Sequence, residues 1–151
     1  RLLDSLLERA DIEFIDLSTF DISEFDYDHN NMDDDFLPLI KRVVTYNKII
    51  FASPVYWYSV TPKMKTFIDR ISDLLDLPGF LDVGRQLKGK AGFVLSTSSS
   101  EQISSSFINS FEKTFEYLGM TYGGFLHADC SDDYQAEEYE MDLQRFLGYL
   151  N

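Results

Sequence analysis

Apolar residues along the chain follow two spacings, one typical of buried strands and one typical of amphipathic helices. Short continuous apolar or β-rich runs predict four strands, at residues 12–17, 49–52, 91–96 and 121–128. Apolar residues three and four positions apart predict five helices. These helices cover residues 2–10, 36–46, 62–75, the stretch from a Ser98–Glu101 capping box to Leu118, and residues 134–150.

The predicted elements alternate strictly, in the order α-β-α-β-α-β-α-β-α. Alternation with continuous apolar strands predicts an α/β fold with a parallel sheet covered by helices on both faces. Thr61 and Pro62 have the pattern of a helix N-cap and first turn, and Asp132 and Asp133 would lie at the positive end of the last helix. At 151 residues, the chain is expected to form a single domain over residues 1–151.

Charge and composition exclude several classes of function. The formal net charge is -13, from 13 basic and 26 acidic residues, so the surface repels phosphate backbones and anionic membranes. This acidity serves either solubility or docking to basic redox partners. No apolar stretch is long enough to predict a membrane span. Cys130 is the only cysteine, which excludes an internal disulfide and fits a cytoplasmic protein.

Two loops follow the carboxyl ends of neighbouring predicted strands, where open parallel sheets bind their ligands. Residues 53–62 (SPVYWYSVTP) offer an aromatic wall, and residues 96–102 (STSSSEQ) offer hydroxyls and N–H groups. Together they suit a flat heterocycle with polar edges. Two alternatives remain open: Tyr56 to Tyr58 cap the core, and Ser98 and Glu101 only cap a helix.

The stretch ASPVYWYSVTPKMKTFIDR, residues 52–70, closely resembles the signature of the NADPH-dependent FMN reductase group of flavodoxin-like proteins. That group includes multimeric flavodoxins and small quinone reductases. The resemblance implies FMN bound at the strand ends, between the two loops. By position, it implies these contacts: Pro54, Val55, Tyr56 and Trp57 near the flavin ring, Tyr58 and Ser59 at its border, and Ser96, Thr97, Ser98 and Ser99 on the second loop.

The resemblance also implies an activity. Hydride would pass from NAD(P)H to FMN and then to a quinone, flavin or similar small acceptor, in a homodimer or homotetramer whose neighbouring chain completes the flavin site. The alternative is a flavodoxin-type electron carrier that has no NAD(P)H oxidation of its own. A receiver domain of the same topology is set aside, because Ala52-Ser53-Pro54 stands where that domain needs a phosphorylatable Asp.

The family fold implies a doubly wound sheet of strand order 2-1-3-4-5, in which the first strand is central. The chain opens instead on a helix, and the Ser- and Gly-rich phosphate loop of the family is absent before it. We therefore expect a first strand and loop, roughly 10 to 20 residues, upstream of Arg1. The second loop also lacks the glycine pair common in relatives.

Other candidate residues are interpreted as structural. Asp69 and Arg70 match the family pattern, and we expect them to form an ion pair or a cap contact rather than to act in catalysis. His29 and His127 have no metal-ligand spacing, and we expect His127 to have a structural or surface role.

Overall fold

The structure is a computed structural model that describes residues 1–132 and 134–150. Within these residues three parallel strands form a sheet of order β1-β2-β3: β1 is Lys48–Ala52, β2 is Ala91–Ser98 and β3 is Thr121–Asp129. The predicted parallel sheet is confirmed, and so are three of the four predicted strands. Three strands do not establish the five-strand order 2-1-3-4-5.

Seven α-helices surround the sheet within the described residues. Their bounds are α1 Leu2–Leu7, α2 Phe36–Val43, α3 Pro62–Arg70, α4 Asp73–Asp76, α5 Leu81–Arg85, α6 Ser105–Leu118 and α7 Glu140–Leu150; single 3₁₀ turns cover Leu17–Thr19 and Ala136–Tyr139. In the described part of the chain, no helix is both long and apolar enough to cross a bilayer.

The central strand β2 is buried on both faces, which is why its sequence reads as a continuous apolar run. Phe93 and Leu95 pack in one cluster with residues of α1, α7 and β3, while Val94 packs in the other with the phenylalanines of α6. Phe111 of α6 lies with its ring centroid 6.0 Å from that of Phe51 on β1. Burial of each such side chain contributes about 1.5–3 kcal/mol.

The prediction of a strand at residues 12–17 is wrong. Residues 12–16 have no regular secondary structure, and the 3₁₀ turn begins at Leu17. A β-rich run becomes a strand only when a neighbour satisfies its N–H and C=O groups, and no described strand pairs with this one. A cavity of about 1250 Å³ is lined on one side by this segment and on the other by β1.

The predicted capping box at Ser98 and Glu101 is also wrong. Strand β2 continues to Ser98, and α6 begins seven residues later, at Ser105. Ser104 caps it, since its hydroxyl accepts the Ser106 N–H at 3.3 Å. In a run of several serines, each hydroxyl is a competent N-cap, so the spacing alone could not select the right one.

The remaining helix boundaries differ from prediction by a few residues. The predicted helix 62–75 divides after Arg70 and resumes as α4. The last helix begins as a 3₁₀ turn at Ala136 rather than at Tyr134. Asp133, expected at its positive end, and Asn151 lie outside the described residues.

Candidate functional site

The two predicted loops lie side by side at the carboxyl end of the sheet. Beyond the last residue of β1, the Ser53 N–H donates to Leu95 O at 3.0 Å, and the Val55 N–H donates to Thr97 O at 2.8 Å. The chain therefore stays hydrogen-bonded to β2 until Val55, just before the aromatic residues. This confirms that the loops are neighbours.

A tight two-residue turn, the aromatic turn Tyr56–Ser59, carries the exposed rings. Tyr56 and Ser59 exchange both backbone hydrogen bonds, at 2.9 and 3.0 Å, across an antiparallel bridge. Between them, Trp57 and Tyr58 have φ of 50° and 64°. Positive φ at both central positions is the pattern of a type I′ turn, which Asn-Gly normally fills. Bulky residues in this region are strained by about 1–2 kcal/mol each.

The strained turn places its side chains outside the core. Trp57 is 94% exposed, and Tyr56 and Tyr58 are 58% and 71% exposed. The alternative that these three rings cap the core is therefore wrong. Backbone strain in a surface turn whose rings are mostly exposed indicates a functional rather than a packing role, since strained residues cluster at functional sites.

The buried side chain of Ser53 links the first residue of this loop to the start of α3. The Ser53 side chain is 3% exposed, accepts the Thr61 N–H at 3.0 Å and donates to Pro54 O at 3.0 Å. Thr61 is the N-cap of α3 and Pro62 its first residue, as predicted. The Thr61 hydroxyl makes no capping bond, so the serine at the end of β1 fixes the start of the helix instead.

The second loop was predicted at residues 96–102, but Ser96 and Thr97 lie on β2, which continues to Ser98. The loop between β2 and α6, residues 98–104, is the serine loop. The Ser98 hydroxyl accepts the Ser100 N–H at 3.2 Å and lies 3.1 Å from Ser100 O and 2.8 Å from His127 Nε2. The Ser98 carbonyl accepts the Cys130 N–H at 2.7 Å. The side chain of Ser98 is therefore hydrogen-bonded to β3, and its carbonyl to the residue that follows β3.

His127, for which the sequence predicted a structural or surface role, lies beside the serine loop and contacts Ser98. It lies on β3 opposite Ser96 in the register. Burial lowers the pKa of His127, and the nearby Asp129 carboxylate opposes part of that shift. The imidazole is therefore largely neutral at neutral pH. Only a reliable register for β2 and β3 could have placed it beside Ser98.

The ten predicted cofactor contacts are not equally accessible. Residues 56–59 and Ser99 are exposed, while Pro54, Val55, Thr97 and Ser98 are partly buried. Ser96 is 2% exposed, and its hydroxyl is buried with no hydrogen-bond partner in the described structure. The sheet brings the two groups together, but their contacts with a flavin stay a prediction.

The large cavity lies elsewhere. It opens beside the edge of β1 that faces residues 11–18, and none of the ten predicted contacts lines it. Its walls reach the candidate site only through Ala52 and residues 61–64. The candidate site is instead a surface formed by the two loops.

A buried ionic cluster braces α3, which follows the aromatic turn. Arg70 is fully buried, and its Nε donates to Asp73 Oδ2 at 2.5 Å while its Nη1 contacts Asp34 and Ser23 O. Asp73 also contacts His29 Nδ1 at 2.7 Å. The cluster joins α3 and α4 to the acidic segment before α2, which confirms a structural role for Arg70.

Buried Arg70 helps to lower the pKa of the nearby Asp34 carboxylate. Burial alone would raise the pKa of Asp34, but hydrogen bonds from Arg70, Ser23 N–H and Phe36 N–H outweigh it and hold that pKa below its usual value. Asp69 points elsewhere and pairs with Lys65 at 2.5 Å on the exposed side of α3. Asp69 and Arg70 therefore both form ion pairs, as expected, but with different partners and not with each other.

The arrangement combines aromatic faces with unused hydrogen-bond donors. The backbone N–H groups of Trp57, Tyr58, Ser99 and Glu101 have no acceptor among the described residues. Backbone donors beside exposed rings can bind a planar molecule that carries carbonyl or ring-nitrogen acceptors on one edge. No group of three or more metal-ligating side chains occurs within the described residues.

Comparisons with known proteins give a family match over most of the chain. The family model described as NADPH-dependent FMN reductase matches residues 1–125. A curated relative from Bacillus subtilis (strain 168), named "Putative NAD(P)H-dependent FMN-containing oxidoreductase YwqN", is 32% identical over 95 residues, which are 62% of this chain and 52% of that protein. The chain thus spans about half the length of that relative.

Solved structures share the fold. The Trp repressor binding protein from Bacillus subtilis is 26% identical with a TM-score of 0.68, covering 78% of this chain and 76% of the other. An NADPH-quinone reductase from P. pentosaceus is 18% identical with a TM-score of 0.61, covering 79% of this chain and 76% of the other. At that identity the second likeness bears on the fold alone.

Proposed function

The chain belongs to the NADPH-dependent FMN reductase family, and from that premise we propose that it binds FMN between the aromatic turn and the serine loop. We propose further that the whole protein oxidises NAD(P)H and reduces a small acceptor such as a quinone or a free flavin. The observation that carries this proposal is the Val55–Thr97 hydrogen bond, which holds the two loops together at the carboxyl end of the sheet.

The residues present fit the ring of this cofactor. Isoalloxazine is flat and has carbonyl oxygens and ring nitrogens on one edge. The exposed rings of Tyr56, Trp57 and Tyr58 supply apolar faces, and the unused N–H groups of Trp57 and Ser99 supply donors for the polar edge. When bound, FMN would supply the hydride-accepting chemistry, and the protein supplies placement and electrostatics.

The protein's own contribution would be positioning and electrostatics. Backbone N–H groups aimed at a polar edge favour negative charge there, which eases acceptance of a hydride. None of the ten predicted contacts carries a carboxylate, an imidazole or an amine. We therefore expect no side chain among them to act as acid or base.

A binding titration tests the site. Trp57→Ala should weaken FMN binding roughly tenfold or less, the scale of one lost aromatic contact, as measured by quenching of flavin fluorescence. Tyr117→Ala is the matched control, because Tyr117 is 80% exposed near the C-terminal end of α6, at the opposite end of the sheet. Equal FMN affinity of the native protein and both variants would contradict the assignment of the aromatic turn to the FMN site.

Anaerobic spectroscopy separates a reductase from an electron carrier. The FMN-loaded protein should lose its flavin absorbance when NADPH or NADH is added without any partner protein. A flavin that stays oxidised under both nucleotides, yet bleaches with dithionite, would favour the carrier. Turnover with a soluble quinone would then test the proposed acceptor class.

We also propose that the protein is a homodimer or homotetramer. Three adjacent exposed aromatic side chains form a surface that a second copy could cover while closing over the flavin. Light scattering should give a mass above that of one chain, and Trp57→Ala with Tyr58→Ala should lower it. A monomeric native protein that binds FMN would contradict the oligomer but leave the cofactor site intact.

A further inference from the structure

The hydroxyl of Ser98 has three partners, and its chemistry fixes how they share hydrogens. A serine hydroxyl has one hydrogen to donate and two lone pairs to accept. The Ser100 N–H occupies one lone pair. The contacts to Ser100 O and to His127 Nε2 are both satisfied only if the hydroxyl donates to Ser100 O and accepts from His127. In that arrangement Nε2 of His127 carries the hydrogen.

We propose that His127 is a positioning residue for FMN binding, which acts by donating its Nε2–H to Ser98 and so fixing the serine loop. The proposal rests on the proposed function, since it concerns the loop assigned there to the flavin edge. His127 would not touch the reacting atoms. Its effect would reach the cofactor through the Ser98–Ser100 turn, which sets the direction of the unused Ser99 N–H.

A β-bulge places His127 on the correct face of the sheet. The register of β2 and β3 shifts by one residue after Gly92, where Phe93 pairs with Gly124 rather than with Gly123. Without that extra residue, His127 would pair with Thr97 and point to the opposite face from Ser98, because side chains alternate along a strand.

The sequence of the bulge shows why it forms. A Cβ on Gly123 would lie 2.3 Å from the Phe93 ring, which real Cβ atoms essentially never approach. Gly124 has φ of +124°, a backbone conformation that favours glycine. Two consecutive glycines therefore build the one-residue shift that brings His127 to Ser98.

The rest of the frame around His127 is fixed independently. The Asp129 N–H donates to the Tyr139 hydroxyl at 3.0 Å, and that hydroxyl donates to Asp129 O at 3.2 Å. The Cys130 N–H donates to Ser98 O at 2.7 Å. The end of β3 is thus anchored from the 3₁₀ turn before α7, and the imidazole has a rigid base from which to hold the loop.

Three substitutions test the role through FMN affinity. His127→Leu removes the donor and should weaken FMN binding roughly three- to tenfold, the scale of one neutral hydrogen bond. Ser98→Ala should cause a similar loss. His127→Gln keeps an N–H donor at a similar reach and should restore affinity to within about threefold of native. Thermal melts of each variant establish that it is folded.

A double mutant sharpens the test. If the two side chains act through one bond, His127→Leu combined with Ser98→Ala should bind FMN no more weakly than the worse single variant. Native-like affinity in His127→Leu, or a fully additive loss in the double mutant, would overturn the proposal.

Hydrogen exchange of the Ser100 amide gives a readout that needs no flavin. Its N–H donates to Ser98 Oγ, so exchange should be slowed in the native protein and in His127→Gln, and faster in His127→Leu. Failure of the native protein to bind FMN would contradict the proposed function, and with it the link from His127 to the cofactor, while the exchange rates would still show whether His127 fixes the serine loop. Unchanged Ser100 exchange in His127→Leu would contradict the positioning role, whether or not FMN binds.

Discussion

The aromatic turn and the serine loop occupy the same end of the sheet but are held in different ways. The first is braced by buried groups: the Ser53 hydroxyl at its base, and the ionic cluster of Arg70 beneath the helix that follows. The second is held by the partly exposed Ser98 hydroxyl and by His127 on another strand. The support of the serine loop is therefore more exposed to solvent than that of the aromatic turn. Variants that weaken each support should therefore differ in the size of their effects.

The largest effect is expected from the ionic cluster. Asp73→Asn would leave the fully buried Arg70 with Asp34 as its one remaining carboxylate partner among the described residues. It should lower the free energy of unfolding by about 3 kcal/mol. Chemical denaturation measures it. Asp69→Asn is the matched control, because Asp69 pairs with Lys65 in solvent and should lose under about 1 kcal/mol. Equal losses in both variants would mean that the cluster does not brace α3.

The two serines at the strand ends give the next comparison. Ser53→Ala would leave the Thr61 N–H without its acceptor in a partly buried position, and should destabilise the fold by about 1–3 kcal/mol. Ser98→Ala should lose less, because water can reach the groups that it leaves behind. The unfolding free energies of the two variants check the order. A larger loss for Ser98→Ala would contradict the stronger support inferred for the aromatic turn.

The turn itself should show stability and binding moving in opposite directions. Trp57→Asn with Tyr58→Gly installs the residues that a type I′ turn favours, and removes rings that bury little. Stability should rise by roughly 1–2 kcal/mol as the strain is released. FMN affinity should fall in the same protein. Lower stability would show that the positive φ values carry no strain.

Parts of this arrangement were predictable from sequence because they depend on local pattern. Continuous apolar runs located β1, β2 and β3, and the strand-loop-helix order correctly made the two loops neighbours. The run at residues 12–17 failed, because β-propensity does not supply a hydrogen-bonding partner. The position of the N-cap of α6 was predicted wrongly, because the serine-rich stretch offers several equivalent caps.

The missing part of the candidate site depended on register. The link from His127 to Ser98 exists only because the Gly123–Gly124 bulge shifts β3 by one residue. Two adjacent glycines near a strand start can mark a bulge, but they do not fix which residues pair beyond it. Contacts between side chains 29 residues apart therefore needed the three-dimensional structure.

The smallest expected effect is the pH dependence of the serine-loop support. Burial lowers the pKa of His127 in the folded state relative to its usual value near 6.5. Between the folded and unfolded pKa values the unfolded chain binds more protons, so stability is fully present above the unfolded pKa and declines as pH falls through this window. His127→Gln cannot titrate and should lack this component. The unfolding free energy of the native protein minus that of the variant, followed from pH 8 to pH 5, should therefore fall as the pH is lowered. A constant difference would mean that His127 has the same pKa in both states, and that the bond to Ser98 does not hold a neutral imidazole in place.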